Sequence, residues 1–251
     1  RNLTPYQDNI LLNLTTCTLI FFGGIGFLVI MDVLKRRNFR KLALHSKVVL
    51  TTSIVLIVLG TVLLKFTEHI SWMGAFFHSI SARTAGFSTY SIGEFTNAGL
   101  FVLCVLMFIG ASPGSTGGGI KTSTFFVLAQ STRSMFSKQA VGAFKRSISS
   151  QNVSKAYAIS MLSALVVIVA TFLLCVLEPE FQFIQLLFEV ISAFGTVGLS
   201  TGITPDLSGA GKLVIILVMF IGRLGAMTLI SMWIERPEKM IRYTEETIAI
   251  G

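Results

Sequence analysis

The sequence Thr84-Ala85-Gly86-Phe87-Ser88-Thr89 returns 112 residues later as Thr196-Val197-Gly198-Leu199-Ser200-Thr201. Each copy stands between a short apolar segment and a long one. Irregular backbone at membrane depth is tolerated only where protein covers it or where it lines a water-filled path. Internal repeats usually assemble around one shared site. The repeat therefore indicates two equivalent walls of one pore, as in an ion channel or transporter.

The composition is that of a membrane protein. Of the 251 residues, 53% are hydrophobic and only 13% are charged, whereas soluble domains usually carry about 25% charged residues. The three cysteines lack metal-ligand spacing, and the sequence offers no Ser–His–Asp or paired-carboxylate arrangement. We therefore expect an all-α membrane protein that is not an enzyme and that holds no metal beyond a transported ion.

The net charge of +8 is distributed unevenly along the chain. Basic residues concentrate in residues 35–47, in residues 131–155 and in the tail after residue 233, whereas the other connections are mainly acidic. This asymmetry follows the positive-inside rule. It predicts a multi-pass protein of the cell membrane with cytoplasmic basic loops and a cytoplasmic C-terminus. Nucleic acid is disfavoured as a partner, because the basic residues flank apolar spans.

The apolar segments repeat one plan. Long spans are expected at residues 10–34, 48–66, 96–130, 156–177 and 209–233, whereas residues 71–83 and 181–194 are too short to cross a hydrocarbon core about 30 Å thick. Each short segment is interpreted as a re-entrant helix, and the polar hexapeptide behind it as an extended return. The repeating unit is thus span, re-entrant helix, polar return and span, arranged around a pore, with about two and a half units present.

This plan divides the chain into three regions. Residues 1–47 form the closing span of an incomplete repeat and a basic cytoplasmic loop. Residues 48–155 form a pore repeat with a glycine-rich intramembrane segment and a cytoplasmic loop, and residues 156–251 form a further pore repeat and a cytoplasmic tail. Because the chain opens in the middle of a repeat, we expect it to be the C-terminal part of something longer or one piece of a split protein.

The polar returns suit a dehydrated cation. Backbone carbonyls supply oxygen ligands without adding net charge, and Gly86 and Gly198 permit φ values that turn neighbouring carbonyls toward an axis. A re-entrant helix that ends before the return also directs its partially negative C-terminus toward the membrane interior. The alternative is a pair of ordinary Gly/Ser/Thr turns in extracellular loops, which the repeated context disfavours.

Four stretches resemble the Ktr/Trk/HKT superfamily of potassium transporters. Residues 82–89 (ARTAGFST) resemble its third pore loop, and residues 110–122 (GASPGSTGGGIKT) resemble the interrupted closing span of its third repeat. Residues 194–202 (FGTVGLSTG) and 222–225 (GRLG) resemble the fourth repeat. The resemblance covers essentially the whole chain and is strongest to the membrane subunit of bacterial Ktr systems.

The resemblance implies a four-repeat pore to which this chain contributes two filter loops, aligned with the third and fourth. The selectivity filter is then expected to include Thr84, Ala85, Gly86, Phe87, Thr196, Val197, Gly198 and Leu199. K⁺ is implied as the transported ion, with Na⁺ as an optional activating ion and no covalently bound cofactor. The implied partners are a second copy in a homodimer, a cytoplasmic nucleotide-binding regulatory subunit, membrane lipid and the missing N-terminal half of the pore.

Residues 110–119 cannot remain a regular helix. Five of these ten residues are glycines and Pro113 lacks a backbone donor, and each glycine costs roughly 1 kcal/mol relative to alanine in a helix. A nucleotide-binding P-loop is disfavoured because Ile120 separates Gly119 from Lys121. A packed kink is the structural alternative. The resemblance implies instead a gate beneath the filter, formed by Gly114, Ser115, Thr116, Gly117, Gly118, Gly119 and Arg223.

Arg223 lies deep within an apolar span, where an arginine costs at least about 2.5–3.5 kcal/mol. We expect it to face a water-filled cavity near residues 114–119, or to bond backbone carbonyls, and to help hold the gate closed. The alternative is a structural anchor between helices. Glu189 and His78 occupy matching places in the two re-entrant helices. Glu189 either stabilises its loop or biases the region toward cations, and a buried, hydrogen-bonded support role is the alternative.

The sequence thus favours potassium uptake through a pore. One alternative is a non-conducting fragment that acts only in assembly. The other is a secondary transporter of a different solute, which the absence of solute-orienting side chains in the hexapeptides disfavours.

Overall fold

The structure is a computed structural model that describes residues 2–137 and 140–225 and is almost entirely helical. Its helices are α1 (Ile10–Ile25), α2 (Phe27–Arg36), α3 (Leu44–Thr67), α4 (Trp72–Ser81), α5 (Asn97–Phe108), α6 (Thr122–Ser137), α7 (Ser150–Leu177), α8 (Phe183–Phe194) and α9 (Gly209–Leu224). Two short strands, β1 (Gly142–Ala143) and β2 (Arg146–Ser147), pair as an antiparallel hairpin in the second basic connection. The expected all-α class is confirmed.

The helices form two copies of one unit, α3–α4–loop–α5 and α7–α8–loop–α9. Helices α3 and α7 are long and apolar enough to span a membrane, with 24 and 28 residues. Helices α4 and α8, with 10 and 12 residues, are too short to do so. Serine or threonine caps the N-terminus of α4, α5 and α9, where Ser71, Thr96 and Ser208 each accept a bond from the backbone three residues on. The predicted alternation of a long and a short segment is confirmed for α3 and α4 and for α7 and α8.

The main hydrophobic core joins the two units. It contains Leu64 of α3, Met107 of α5, Leu174 of α7 and Phe188 of α8, all fully buried. The outward faces of α3 and α7 are also apolar, with Ile54, Val58, Leu165, Ile168 and Phe172 exposed. A contiguous apolar surface of this kind is unfavourable in water and suits hydrocarbon. The arrangement is that of a membrane protein with an internally packed centre.

The first expected span, residues 10–34, is not a straight helix. Helices α1 and α2 meet at Gly26, which has a φ of +85°, and their axes differ by 96°. The last expected span, residues 209–233, is likewise not one helix as far as it is described, because α9 ends at Leu224 before Gly225 with a φ of +84°. Residues 226–233 lie outside the described residues. The spans were predicted without these two backbone breaks, because hydropathy reports how apolar a segment is and carries no information on where its backbone bends.

The expected segment 96–130 divides into α5 and α6, separated by non-helical residues 109–121. The prediction that residues 110–119 are not helical is confirmed. A parallel bridge between Ile109 and Ile120 closes the base of this segment, and the Ile120 amide donates to the Phe108 carbonyl at 3.1 Å. The segment is therefore an ordered intramembrane loop, referred to below as the glycine-rich loop (residues 110–119).

Helices α3 and α7 begin before the residues at which the predicted regions divide. The former starts at Leu44 and the latter at Ser150, so the divisions at 47/48 and 155/156 fall inside helices. The difference arises because both helices continue past the apolar segment into polar residues, where Ser149 caps α7 by accepting the Asn152 amide. The three-region organisation itself stays a prediction.

Candidate ion pathway

The two hexapeptides have closely similar backbone conformations. Thr84 and Gly86 have φ values of +73° and +75°, and Thr196 and Gly198 have φ values of +51° and +95°. A positive φ is rare for a β-branched residue and persists only where the surroundings hold it. The repeat in sequence is therefore also a repeat in an unusual backbone shape.

A serine in each re-entrant helix fastens the loop that follows. The Ser81 hydroxyl donates to the Phe87 carbonyl, and the Ser192 hydroxyl donates to the Leu199 carbonyl at 2.6 Å. These equivalent bonds span six and seven residues, respectively. The extra residue is Gly195, which changes the offset between the units from 111 in the helices to 112 in the loops. The structure thus shows that the serines correspond although the loop lengths differ.

The two loops meet through their glycine backbones. A Cβ atom on Gly86 would overlap the Val197 carbonyl oxygen, whereas a Cβ on Gly198 would meet nothing closer than the Gly86 Cα at 3.9 Å. Gly86 is required by its φ and by the lack of space, and Gly198 by its φ alone. The structure brings the predicted filter residues together, with Phe87 and Gly198 exposed, Val197 and Leu199 buried, and Thr84, Ala85, Gly86 and Thr196 half-buried.

The glycine-rich loop lies directly against the threonines of both hexapeptides. A Cβ on Gly117 would overlap the Thr84 hydroxyl, and one on Gly118 would lie 2.7 Å from the Thr196 hydroxyl. The Gly118 amide donates to that Thr196 oxygen at 3.0 Å. Gly117 and Gly118 are buried, Ser115 and Gly119 are half-buried, and Gly114 and Thr116 are exposed. The loop therefore occupies the space next to the inner ends of the two polar returns.

The break between α1 and α2 supports the other side of this loop. The Ser112 amide donates to the Gly24 carbonyl at 3.0 Å, and the Phe27 amide donates to the Gly114 carbonyl at 3.3 Å. A Cβ atom added to Gly26 would lie only 2.6 Å from the Pro113 carbonyl oxygen. The loop thus uses backbone groups that the break in the first span leaves available.

Two basic side chains bond carbonyls of the glycine-rich loop. The Arg223 guanidinium donates to the Thr116 carbonyl, and the Lys121 ammonium donates to the Gly117 carbonyl. The expected position of Arg223 next to residues 114–119 is observed, and its side chain is exposed on the described chain. The contact of Lys121 was not predicted, because a lysine that follows a glycine run has no preferred direction in sequence.

Two buried carboxylates at the outer ends of the spans were missed by sequence reasoning. Glu68 Oε1 accepts bonds from the Thr96 amide at 3.0 Å and the Thr96 hydroxyl at 2.7 Å. In the other unit, Glu178 Oε1 accepts from the Ser208 amide at 2.9 Å and from the Ser208 hydroxyl. These hydrogen bonds connect the C-terminal end of α3 to the N-terminus of α5, and the C-terminal end of α7 to the N-terminus of α9. The signal was a glutamate after each long span, with a later Thr/Ser-x-x-Gly.

A polar pocket of about 310 Å³ lies on the other side of the hexapeptides from the glycine-rich loop, lined by Gly86, Ser88, Gly198, Ser200 and Thr201 among others. Asn2 also lines it and donates from its amide to the Gly86 carbonyl at 3.1 Å. The hydroxyl and carbonyl oxygen atoms of this pocket are ligands of the kind that coordinate a partly hydrated monovalent cation.

Arg83 joins the first hexapeptide to the opening span of its unit. Its guanidinium donates to the Ser53 hydroxyl at 3.2 Å and to the Ser53 carbonyl at 3.4 Å, and only 7% of the residue is exposed. Four residues earlier, in α4, the Ser79 hydroxyl donates to the Ile57 carbonyl of α3 at 2.9 Å. Helix α4 and its loop are therefore held against α3.

The fold defines a helical membrane protein built from two similar helix–loop units, and comparison with known proteins places it more narrowly. Residues 2–242 match the family model described as "TrkH: Cation transport protein". The chain belongs to this family of cation transport proteins.

Curated relatives agree with this placement. The chain is 40% identical to the Ktr system potassium uptake protein B of Vibrio alginolyticus, over 100% of this chain and 58% of that protein. It is 38% identical to the potassium/sodium uptake protein NtpJ of Enterococcus hirae, over 98% of this chain and 58% of that protein. The chain thus spans less than two thirds of the length of these relatives.

A solved structure supports the fold. The potassium transporter TrkH from Vibrio parahaemolyticus superposes with a TM-score of 0.71 and 20% sequence identity, over 88% of this chain and 51% of that one. At this identity the likeness concerns the fold alone.

Proposed function

We propose that this chain supplies two filter loops and the gating loop of a pore for potassium uptake. The observation that carries the proposal is the contact of Gly86 with Val197 and Gly198 directly against the glycine-rich loop. Two positive-φ glycines meet there, and Gly117 and Gly118 cover the threonines two residues before them. The full pore would contain four such loops, two of them supplied by sequence outside this chain.

In this proposal the hexapeptides bind the ion through oxygen atoms. The carbonyls of residues 84–87 and 196–199 would replace part of the hydration shell, and the hydroxyls of Thr84 and Thr196 would add ligands at the inner end. The ion would move passively down its electrochemical gradient. The relatives named above as potassium or potassium/sodium uptake proteins support K⁺ as the ion, with Na⁺ as a candidate activator.

The glycine-rich loop would act as the gate. Because Gly118 donates to Thr196 and Gly117 packs on Thr84, an ion that leaves the filter inward meets this loop first. Arg223 and Lys121 would hold it in the closed position through the Thr116 and Gly117 carbonyls. Glycines at positions 114, 117, 118 and 119 leave its backbone free to adopt a second path.

The proposal includes an orientation and partners. Residues 35–47 and 131–155 carry the positive charge expected of cytoplasmic loops, which makes the protein multi-pass with a cytoplasmic C-terminus. A nucleotide-binding regulatory subunit would bind at these loops. A second copy would complete a homodimer, and an N-terminal half would complete each pore.

The test is ⁸⁶Rb⁺ uptake into liposomes by two preparations. One contains this chain alone. The other contains the Vibrio alginolyticus relative in which the aligned region is replaced by this chain. We expect uptake by the chimera and none by the chain alone. Gly198→Asp should abolish uptake, and Gly209→Asp, placed in open space at the start of α9, should preserve it.

Other results would change the proposal. Uptake by the chain alone would mean that two copies can form a four-loop pore. No uptake by a folded chimera would favour a non-conducting fragment, and saturable uptake of an organic solute without ion flux would favour a secondary transporter.

A further inference from the structure

Glu189 is a buried carboxylate in α8 with no basic partner. Only 5% of the residue is exposed, and within residues 2–137 and 140–225 no basic group lies within salt-bridge distance of it. A buried carboxylate is costly unless hydrogen bonds compensate it. Its acceptor atoms therefore need donors, and the structure shows where they come from.

All the donors come from the last two residues of the second hexapeptide and from Thr204 just after it. Glu189 Oε1 accepts from the Ser200 hydroxyl at 2.6 Å, the Thr201 amide at 3.0 Å and the Thr201 hydroxyl at 3.3 Å. Oε2 accepts from the Thr204 hydroxyl at 2.8 Å. These residues begin two positions after Gly198. The carboxylate thus fastens the backbone immediately outside the proposed ion-binding carbonyls.

The fastened segment also supports the other unit. The Thr201 carbonyl oxygen packs against Gly93, because a Cβ atom added to Gly93 would lie only 2.7 Å from it. The hydroxyl oxygens of Ser200 and Thr204 lie 2.9 Å apart, and the Gly202 amide donates to Ser200 Oγ at 2.9 Å. A displacement of this segment would therefore reach the first unit near Gly93, outside its hexapeptide.

The matching position in the first unit contains a different side chain. His78 lies three residues before Ser81, as Glu189 lies before Ser192, and its Nδ1 pairs with the Gly74 carbonyl of its own helix at 2.9 Å. The rings of Phe77, Tyr90 and Phe95 surround it. Thr89, the counterpart of Thr201, is buried, and its hydroxyl has no partner among the described residues. Only the second unit fastens its return through a carboxylate.

We infer that Glu189 is a positioning residue for the filter, and that it sets the discrimination between K⁺ and Na⁺ by holding the carbonyls of residues 198 and 199 in place. The selectivity part of this inference rests on the proposed function. A carboxylate is suited to the task because both oxygens only accept hydrogen bonds. In Glu189→Gln one of these atoms becomes an NH₂ group that faces other donors, although the side-chain shape is nearly unchanged.

The positioning part is tested by amide hydrogen exchange on this chain in lipid nanodiscs, without any transport measurement. Glu189→Gln should accelerate exchange at residues 197–204 and leave residues 84–87 unchanged. The matched control is Glu178→Gln, which removes an equally buried carboxylate of the same unit. It should accelerate exchange near residues 208–212 only. Unchanged exchange at 197–204 in Glu189→Gln would overturn the inference.

A second variant covers the case in which Glu189→Gln does not fold. Ser200→Ala combined with Thr204→Val removes two of the donors and keeps the carboxylate. It should accelerate exchange over the same residues, 197–204. Protection equal to the unmodified chain would overturn the inference.

The selectivity part is tested in the chimera described above. Glu189→Gln should lower the K⁺/Na⁺ uptake ratio about five-fold, which corresponds to the net worth of one typical hydrogen bond. Glu178→Gln should leave the ratio unchanged. A fall in total uptake at constant ratio would reduce Glu189 to a structural support and overturn its role in selectivity. If the unmodified chimera takes up no K⁺, the proposed function fails, while the exchange result still decides whether Glu189 positions the loop.

Discussion

In the unit formed by α3, α4 and α5, the polar return is held by Arg83, which reaches Ser53 on α3, and by aromatic rings around His78. In the unit formed by α7, α8 and α9, a carboxylate, Glu189, holds it directly. Both units nevertheless have a left-handed threonine, a left-handed glycine and a helix serine that closes the loop. The two units therefore share the backbone conformation of the loop, but different side chains hold that loop in place.

The closing segments differ more strongly. After α5 the chain leaves the helix for residues 109–121 and contacts the threonines of both hexapeptides. Helix α9 continues to Leu224 and contributes Arg223, which bonds the glycine-rich loop of the other unit. One closing segment therefore provides the glycine-rich loop, and the other provides a side chain that bonds it.

The largest expected difference between the units concerns their two filter glycines. Gly86→Ala should lower ⁸⁶Rb⁺ uptake by the chimera at least about a hundred-fold, because its Cβ would overlap a backbone oxygen that no rotamer change can move. Gly198→Ala should lower uptake only about ten-fold. Its Cβ atom has space, so the cost is mainly that of placing a residue with a Cβ in a left-handed backbone conformation, about 1–2 kcal/mol. Equal losses would contradict the asymmetry seen at the contact between the loops.

Because α9 contributes the arginine that bonds the glycine-rich loop, removing that side chain should increase the rate of ion uptake. Arg223→Ala should raise ⁸⁶Rb⁺ uptake about five-fold, because the closed loop loses one hydrogen bond at the Thr116 carbonyl. The control is Lys212→Ala at the opposite end of α9, whose ammonium bonds the Pro205 carbonyl. It should leave uptake unchanged. An Arg223→Ala variant that transports at the original rate would rule out a role for Arg223 in the gate.

The buried glutamates after α3 and α7 should contribute equally to the stability of the protein. Glu68→Gln and Glu178→Gln should each destabilise the protein by about 1–3 kcal/mol, because each disturbs a buried carboxylate that accepts two bonds from the N-cap of a closing helix. Thermal denaturation in detergent would measure both midpoints. Glu180→Gln on the exposed connection is the control. A loss in only one of the two variants would show that the units are not equivalent there.

The smallest expected difference lies in the helix serines. Ser192→Ala should weaken the apparent affinity for Rb⁺ more than Ser81→Ala does, with a separation of about 1 kcal/mol. Ser192 bonds both the Leu199 carbonyl and the Gly198 amide, whereas Ser81 bonds the Phe87 carbonyl alone. Concentration dependence of uptake gives the two affinities, with Ser91→Ala on the exposed connection as the reference. The reverse order would mean that these bonds do not shape the filter.

Several features were accessible from sequence because their signals are local. The short lengths of α4 and α8, the loss of helix around Pro113 and the repeat of the hexapeptides depend on composition over a few residues. The breaks at Gly26 and Gly225 were missed although glycines mark both places. A glycine within an apolar segment tolerates a helix as well as a bend, so neighbouring backbone decides which of the two forms.

The amino-acid sequence by itself determined that this chain is an all-α membrane protein with two repeated helix–loop units and a non-helical interruption after the first. Hydropathy, charge asymmetry and the glycine and proline positions act over short distances, and a linear pattern records them. Only the tertiary structure decided which groups meet. Arg223 bonds a carbonyl 107 residues away, and Gly118 bonds a hydroxyl 78 residues away. Such contacts depend on how the helices pack, and helix packing is set by side chains distributed over the whole chain.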